Sequence, residues 1–203
     1  MKDDPSGRIA GVVLAAGSSS RMGRNKLFLR LGGTSVLRRA VAAAREAGLD
    51  PVLVVLGHES DRALAELQGL QCTPVLNEDY ATGMNTSVRA GISAVPGDAS
   101  GAVLMLADMP FVTAGMLRTL VERYRAAEAP LVVSTYGEVL APPILYGRPL
   151  FGELRALEGE GCGKRVVKAH RADAIEIAWP PAALADLDVP DDLDRVRTRI
   201  EGG

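Results

Sequence analysis

The sequence contains little sulfur and few aromatic rings. Only two cysteines, Cys72 and Cys162, occur among its 203 residues, and neither lies in a Cys-x-x-Cys or Cys/His spacing. We therefore expect no disulfide framework and no zinc site, and a reducing cytoplasm fits this composition. Aromatic residues make up 4% of the chain, whereas hydrophobic residues make up 47%, so the predicted core is aliphatic.

Long apolar runs and a strong net charge are also missing. No hydrophobic run approaches the ~18 residues that a membrane span requires. The N-terminal residues, MKDDPSGR, are polar and lack the apolar region of a signal peptide. The formal net charge is −2, which argues against a general nucleic-acid or membrane-surface protein. We expect a cytoplasmic protein with neither nucleic acid nor membrane as its partner.

Acidic residues are absent from one long segment. Between Pro5 and Arg45 there is no Asp or Glu, although eight Lys and Arg residues occur there. Near the other end of the chain, five aspartates lie within nine positions, from Asp186 to Asp194. If these two segments fold close together, they build a polarised site within a nearly neutral protein.

Short apolar runs alternate with segments of helical periodicity. Five predicted strands are continuous apolar runs, typical of strands buried on both faces: 9–14, 52–56, 72–76, 102–107 and 131–134. A short further strand is predicted at 174–177 in the less regular C-terminal third. Helices are predicted to begin at Ser35, Ser60, Asn85 or Thr86, Thr113 and Pro190. This alternation predicts an α/β three-layer sandwich with a mostly parallel sheet. No repeat or linker interrupts it, so we expect a single domain over residues 1–203.

The segment LAAGSSSRMGRNK, residues 14–26, follows the first predicted strand. Its small residues let the backbone approach a ligand, and successive N–H groups in such a turn can bind an anion. Arg21 and Lys26 add positive charge. Neither GxxxxGK[ST] nor GxGxxG occurs, which excludes a Walker A loop and argues against a dinucleotide-binding dehydrogenase. The alternative is a solvated surface loop; the position after a buried strand, where open α/β sheets bind ligands, favours an anion site.

Three further segments carry candidate ligand-binding side chains. Asp108 ends the apolar strand LMLAD and could hold Mg²⁺ against bound phosphates, unless it only begins a turn. The polar segment 77–87, with Asn77 and Ser87, could contact a base or a ribose, or could serve only as turn and helix cap. Asp186 and Asp188 point to the same side of an extended segment and could supply a second metal ligand. Alternatively, the two aspartates lie there only because acidic side chains are favourable near the N-terminus of a helix, here the last predicted one.

Other chemically reactive side chains receive an ordinary structural interpretation. His58 and His170 are isolated in the sequence, so we do not expect either to be catalytic. Cys72 is expected in the core, whereas Cys162 lies in the glycine-rich stretch EGEGCGKR and is expected to be exposed.

These motifs resemble those of a known family. LAAGSSSRMGRNK is similar to the signature LAAG-x-S-x-R-M-G-x-x-K of nucleotidyltransferases related to the molybdenum-cofactor guanylyl- and cytidylyltransferases. Asn77, Gly83, Ser87 and Gly91 resemble the family's N…G…S…G pattern, LADMP its metal-binding strand end, and DLDVPDDL its C-terminal motif. The resemblance covers residues 9 to about 196 and implies a Rossmann-like, GT-A-like nucleotidyltransferase fold.

The resemblance implies roles for particular residues. Arg21, Lys26 and Asp108 would be catalytic, and Asp108 with Asp188 would bind Mg²⁺. The nucleotide would contact Leu14, Ala15, Ala16, Gly17, Ser18, Ser19, Ser20, Arg21, Lys26, Asn77, Gly83 and Ser87. LAAG, in place of the LAGG of the guanylyl branch, favours CTP over GTP, because the methyl group of Ala16 narrows the space beside the base.

The implied reaction transfers CMP from CTP to the phosphate of molybdopterin and releases pyrophosphate, and a molybdoenzyme or its chaperone would receive the product. Two segments depart from the family on the acceptor side: Ala141-Pro142-Pro143 replaces a G-x-P turn, and residues 159–165 replace G-D-x-G-A-R. Other acceptors, such as a sugar phosphate or methylerythritol phosphate, therefore stay open. A non-catalytic nucleotide- or cofactor-binding module is the alternative from another class.

Overall fold

The structure is a computed structural model that describes residues 7–17, 25–127 and 129–184. The strands of this part of the chain are Arg8–Ala15 (β1), Arg30–Leu31 (β2), Thr34–Ser35 (β3), Val52–Leu56 (β4), Thr73–Leu76 (β5), Ala99–Leu106 (β6), Leu131–Tyr136 (β7), Val139–Leu140 (β8), Ile144–Gly147 (β9) and Ala174–Trp179 (β10). The helices are Val36–Glu46 (α1), Ser60–Leu67 (α2), Met84–Ser93 (α3), Ala114–Ala126 (α4), Phe151–Arg155 (α5) and Lys164–Ala169 (α6).

One mixed sheet organises the described residues. Its strand order is β10-β7-β9-β6-β1-β4-β5, with β8 paired to β7. The pairs β6–β1, β1–β4, β4–β5 and β10–β7 are parallel. β9 runs antiparallel to both β6 and β7. The sheet is thus mostly parallel, as predicted, with β9 reversed between β7 and β6.

Helices cover both faces of this sheet, which confirms the predicted three-layer architecture. On one face, Leu37 and Val41 of α1 and Leu117 and Leu120 of α4 pack in one aliphatic cluster with Val13 of β1. On the other face, a second cluster contains residues of α3, α5 and α6, including Val88, Ile92, Leu154 and Val166. The alternating residues of β1 and β6 join the two clusters, because side chains of a strand point to opposite faces.

Capping side chains set the beginnings of two helices. The Ser35 hydroxyl accepts from the Arg38 N–H at 3.3 Å, and the Thr113 hydroxyl accepts from the Met116 N–H at 3.2 Å, so both predicted caps are confirmed. The helix start predicted at Ser60 is also confirmed, whereas the start predicted at Asn85 or Thr86 is displaced. Ser60 is the first residue of α2, but Glu59 precedes it in a left-handed conformation without a capping bond. α3 begins at Met84, after Gly83 rather than at Asn85 or Thr86.

Two strand predictions need correction. The strand predicted at 72–76 was expected to be buried on both faces, yet β5 lies at the sheet edge, where Leu76 is 61% exposed. β8 and β9 were not predicted at all, since they have four or fewer residues, lie on either side of the Pro142-Pro143 break and carry no long apolar run. The last predicted helix, from Pro190, lies outside the described residues, and the single domain over 1–203 stays a prediction.

The parallel strands end together at one edge of the sheet. Ala15 of β1 is in register with Leu56 of β4, and Leu56 with Leu76 of β5. The Ala107 N–H, just beyond β6, donates to the Leu14 carbonyl at 3.0 Å. The segments after β1, β4, β5 and β6 therefore meet at this edge, where open α/β sheets bind ligands. None of the described helices is long and apolar enough to cross a membrane.

Candidate active site

A cavity of about 520 Å³ opens at the carboxyl ends of β1, β4 and β6. Its lining combines strand-end backbone, one lysine, two carboxylates and several apolar side chains: Leu14, Ala15, Ala16, Gly17, Lys26, Leu27, His58, Tyr80, Ala81, Gly83, Met84, Ser87, Leu106, Asp108 and Glu160. Every predicted nucleotide contact that the structure describes lies in this lining, except Asn77.

Lys26 and Asp108 meet inside the cavity although 82 positions separate them in the sequence. The Lys26 Nζ lies 2.6 Å from the Asp108 Oδ2, and the side chains are only 12% and 20% exposed. A single 3-10 turn, Lys26–Phe28, carries the lysine, and its Leu27 and Phe28 are buried. The Asn25 side chain accepts from the Leu27 N–H at 3.1 Å and so caps this turn. The lysine is thereby fixed opposite the strand end that carries Asp108.

The donor set around Asp108 fits a divalent cation that is shared with a ligand. Its carboxylate faces the cavity, and carboxylate oxygens suit Mg²⁺ or Mn²⁺. Among the described residues, no group of three or more His, Cys, Asp or Glu side chains could form a metal cage by itself. A cation at Asp108 would therefore take its remaining ligands from phosphates and water, as Mg²⁺ commonly does.

One wall of the cavity is closely packed around the predicted base position. A Cβ added at Gly57 would lie 2.6 Å from the Cβ of Tyr80 and 2.9 Å from the Cβ of Ala16. The Ala16 carbonyl accepts from the His58 N–H at 3.2 Å. The rings of His58 and Tyr80 are tilted, with centroids 6.1 Å apart. The space beside Ala16 is therefore narrow, and the rings of His58 and Tyr80 lie near it.

Asn77 supports the site from behind. Its side chain is buried and its Nδ2 donates to the hydroxyls of Thr86 and Ser87, at 2.9 Å each. Its Oδ1 accepts from the Asp79 N–H at 3.1 Å. These bonds hold the first turn of α3, which contributes Met84 and Ser87 to the cavity. The structure thus gives Asn77 a bracing position, and its predicted direct contact with a nucleotide stays a prediction.

A glycine-rich segment of residues 158–163 closes the opposite side. A Cβ at Gly83, whose φ is +132°, would lie 2.6 Å from the Gly159 carbonyl oxygen, so only glycine permits this approach. The Met84 N–H donates to the Glu160 Oε2 at 3.2 Å, and Glu160 lines the cavity. The acceptor-side segment that departs from the family pattern therefore borders the same cavity as the nucleotide motifs.

The expectation that Cys162 is exposed was wrong. It is buried, because it packs in the cluster formed by α3, α5 and α6. Burial raises the pKa of its thiol to about 12, despite the nearby charge of Lys164. The thiol is therefore protonated near neutral pH and is not a nucleophile of the site.

The other segment that departs from the family pattern, Ala141-Pro142-Pro143, is hydrogen-bonded to β7. The carbonyl of Pro142 accepts from the Tyr136 hydroxyl at 3.0 Å, and that of Pro143 accepts from the Ser134 hydroxyl at 2.6 Å. The prolines thus connect β8 to β9 as part of a bonded turn.

Several predicted site residues lie outside the described part of the chain: Ser18, Ser19, Ser20, Arg21, Asp186 and Asp188. Seven residues of the lining were not among the predicted site residues: Leu27, His58, Tyr80, Ala81, Met84, Leu106 and Glu160. His58 and Tyr80 follow β4 and β5, so the strand-end rule that singled out Asp108 could have found them.

The strand-end cavity with its lysine–carboxylate pair and small-residue loop is the arrangement of an α/β nucleotidyltransferase. Residues 11–174 match the MobA-like NTP transferase domain family, and the chain belongs to that family. The purine catabolism protein PucB of Bacillus subtilis is 32% identical over 93% of this chain and 96% of its own length. The bifunctional protein GlmU of Leifsonia xyli subsp. xyli is 36% identical over 69% of this chain, but the match spans only 29% of that protein.

Solved structures share the fold of this chain. Rv0371c from Mycobacterium tuberculosis superposes with a TM-score of 0.80 at 32% identity, covering 94% of this chain and 98% of that one. A structure of Rv0371c in complex with manganese has a TM-score of 0.79 at 31% identity and covers 93% and 97% of the two chains. The molybdopterin-guanine dinucleotide biosynthesis protein A of Archaeoglobus fulgidus is 16% identical with a TM-score of 0.69, and it covers 96% of this chain and 100% of its own, so it supports the fold alone.

Proposed function

We propose that this protein transfers CMP from CTP to the terminal phosphate of molybdopterin and releases pyrophosphate. The observation that carries the proposal is the Lys26–Asp108 pair, 2.6 Å apart, inside a cavity walled by the LAAG backbone. Simple nucleotide binding needs no carboxylate beside the phosphates, because an unbridged carboxylate repels them. A lysine and a carboxylate that contact each other inside a cavity at the strand ends are better explained by metal-assisted phosphoryl chemistry.

The proposed reaction is an in-line attack of the acceptor phosphate on the α-phosphorus of CTP. One bond forms from the acceptor oxygen to that phosphorus, and the bond to the bridging oxygen of pyrophosphate breaks. Lys26 neutralises the α-phosphate as negative charge accumulates, and the backbone after β1, with Arg21, holds the β- and γ-phosphates. Asp108 holds the divalent cation, Mg²⁺ in our proposal, which supplies further charge neutralisation. Catalysis then consists of positioning and electrostatics, without a protein nucleophile.

The proposed preference for CTP depends on Ala16. Ala16 is 6% exposed, and its Cβ would lie 2.9 Å from a Cβ added at Gly57, so its methyl group is closely packed beside that glycine. A pyrimidine needs less room than a purine at this position. GTP is the alternative nucleotide.

The acceptor side of the cavity is bordered by the segment of residues 159–165. Glu160 borders the cavity where the family's acceptor motif is altered, so a sugar phosphate or methylerythritol phosphate stays an alternative acceptor. The name of the PucB relative, a purine catabolism protein, favours a recipient enzyme or chaperone that acts in purine breakdown. A non-catalytic binding module is the alternative that requires no acceptor.

Release of pyrophosphate separates these alternatives. The protein is incubated with Mg²⁺ or Mn²⁺, with CTP or GTP, and with molybdopterin, a sugar 1-phosphate or methylerythritol phosphate. We expect the fastest release with CTP and molybdopterin. Release only with another acceptor would replace molybdopterin in the proposal. Nucleotide binding without release from any pair would favour the non-catalytic module.

A further inference from the structure

The segment of residues 158–163, here called the flap, has backbone conformations that neither a helix nor a strand adopts. Four of its residues have positive φ: Gly159 at 66°, Gly161 at 120°, Cys162 at 47° and Gly163 at 80°. Cys162 is not glycine, so its left-handed conformation costs free energy that surrounding contacts must offset. These contacts therefore determine where the flap lies.

Most of the bonds that cross from α3 to the flap come from one residue. The side chain of Asn85 is 3% exposed, and its Nδ2 donates to the carbonyls of Glu158 and Glu160, at 2.8 Å each. Its Oδ1 accepts from the Gly163 N–H at 3.2 Å, and its backbone N–H donates to the Gly159 carbonyl at 3.1 Å. The amide thus satisfies two acceptors and one donor of the flap at once, which a side chain without both functions could not do.

These bonds connect the flap to the nucleotide side of the cavity. Asn85 lies in the first turn of α3, which Asn77 braces from the other side through Thr86 and Ser87. The flap that Asn85 holds places Glu160 in the cavity lining, where its carboxylate accepts from the Met84 N–H. A carboxylate there repels phosphate groups and attracts N–H donors. It therefore favours an orientation in which ligand phosphates lie toward Lys26 and an N–H-bearing ring lies toward the flap.

We propose that Asn85 is a positioning residue that holds the flap closed against α3 and so places Glu160 in the acceptor side of the cavity. The part of this inference that concerns the acceptor rests on the proposed function; the part that concerns flap closure does not. Asn85 acts through the flap and has no direct part in the chemistry.

Cys162 provides a local probe of flap closure. In a Cys72→Ser background, the alkylation of the remaining thiol by iodoacetamide is followed by intact mass, and exchange of the Gly163 amide by hydrogen-exchange mass spectrometry. We expect Asn85→Ala to accelerate both by about tenfold or more, because the flap loses its side-chain bonds. Asn85→Asp is nearly isosteric but cannot donate to the two carbonyls, so it should also open the flap.

Tyr146→Phe is the matched control. The Tyr146 hydroxyl is buried beneath Gly163 and has no hydrogen-bond partner among the described residues. Its removal should leave alkylation and exchange unchanged. Circular dichroism melts show whether each variant is folded at the assay temperature. If both folded Asn85 variants alkylate and exchange at the parent rate, the proposal is wrong.

Kinetics test the acceptor part. With CTP and molybdopterin, we expect Asn85→Asp to raise KM for molybdopterin about tenfold or more while KM for CTP changes less than about twofold. An equal increase in the KM values for molybdopterin and for CTP, or no increase in either, would contradict a role on the acceptor side. If the parent protein releases no pyrophosphate, the proposed function fails, whereas the alkylation and exchange results still decide whether Asn85 closes the flap.

Discussion

Lys26 occupies the position at the Asp108 carboxylate where a divalent cation would compete with it. Two cations cannot share one carboxylate oxygen closely, so a bound nucleotide that draws Lys26 toward its phosphates would free Asp108 for the metal. Metal and nucleotide binding should therefore be positively coupled. We predict that Lys26→Met binds Mn²⁺ alone about tenfold or more tightly than the parent, as measured by titration calorimetry or electron paramagnetic resonance.

Arg125→Met is the control for this charge change. Arg125 is exposed near the C-terminal end of α4, and its Nη2 lies 3.5 Å from the carbonyl of Gly7, at the opposite edge of the sheet. Its removal should leave Mn²⁺ affinity unchanged. The same or lower Mn²⁺ affinity for Lys26→Met than for the parent would show that the lysine does not compete with the metal.

Ala16 carries the prediction on base preference. Replacing Ala16 by glycine removes the methyl group that lies beside Gly57 and would widen the space beside the base. We predict that Ala16→Gly shifts the ratio of kcat/KM for CTP to that for GTP by about tenfold toward GTP. Competition assays with both nucleotides measure this ratio. An unchanged ratio would remove Ala16 from the account of specificity.

The sequence predicted the charged pair but not the whole lining. Lys26 and Asp108 were found because both follow strands of a parallel sheet, and such strands end at the same edge. Glu160 could not be found in this way, because its place depends on a flap that Asn85 holds from 75 positions away. Cys162 was misjudged for the same reason, since a glycine-rich segment does not reveal what it packs against.

At the scale of elements, α3 depends on a close approach to the sheet. A Cβ at Gly91 would lie 2.4 Å from the Val12 Cγ1 and 3.0 Å from the Val55 Cγ2, so this helix lies on β1 and β4 only because Gly91 has no side chain. We predict that Gly91→Ala lowers the free energy of unfolding by about 1–3 kcal/mol, by analogy with other overpacked cores. Urea denaturation followed by circular dichroism measures this change.

Gly152 in α5 provides the opposite case. No atom lies within 4 Å of a Cβ added there. Gly152→Ala should therefore raise the free energy of unfolding by about 0.5–1 kcal/mol, because alanine is the better helix former. Similar effects from the two substitutions would mean that α3 does not need its close contact with the sheet.

The elements that were predicted well have local signals. Ser35 and Thr113 cap their helices because their hydroxyls bond N–H groups three residues further along, which the sequence spacing reveals. β9 has no such signal. It is four residues long, Ile144–Gly147, and its antiparallel pairs with β6 join residues that are 40 to 46 positions apart. Its pairing with β7 depends on the chain reversal at Pro142-Pro143.

For the whole molecule, two aliphatic clusters on either face of one sheet carry a site at the strand ends. A ligand bound at this edge would contact the segments that follow β1, β5 and β6. Because these segments come together only in the folded protein, the ligand would stabilise the folded state. We predict that CTP with Mg²⁺, at about 100 times its dissociation constant, raises Tm by about 5–10 °C. Scanning calorimetry measures the shift, and Asp108→Asn should reduce it. An equal rise in Tm with any polyphosphate salt would mean that the site recognises only the negative charge of its ligand.

The most direct test of the central claim is the transfer of label from [α-³²P]CTP to molybdopterin by the parent protein and by Asp108→Asn. Label should appear in the acceptor together with pyrophosphate, and the substitution should lower the rate by roughly 10³-fold or more while the variant stays folded. Near-parental transfer by folded Asp108→Asn would contradict the proposed role of the Lys26–Asp108 site.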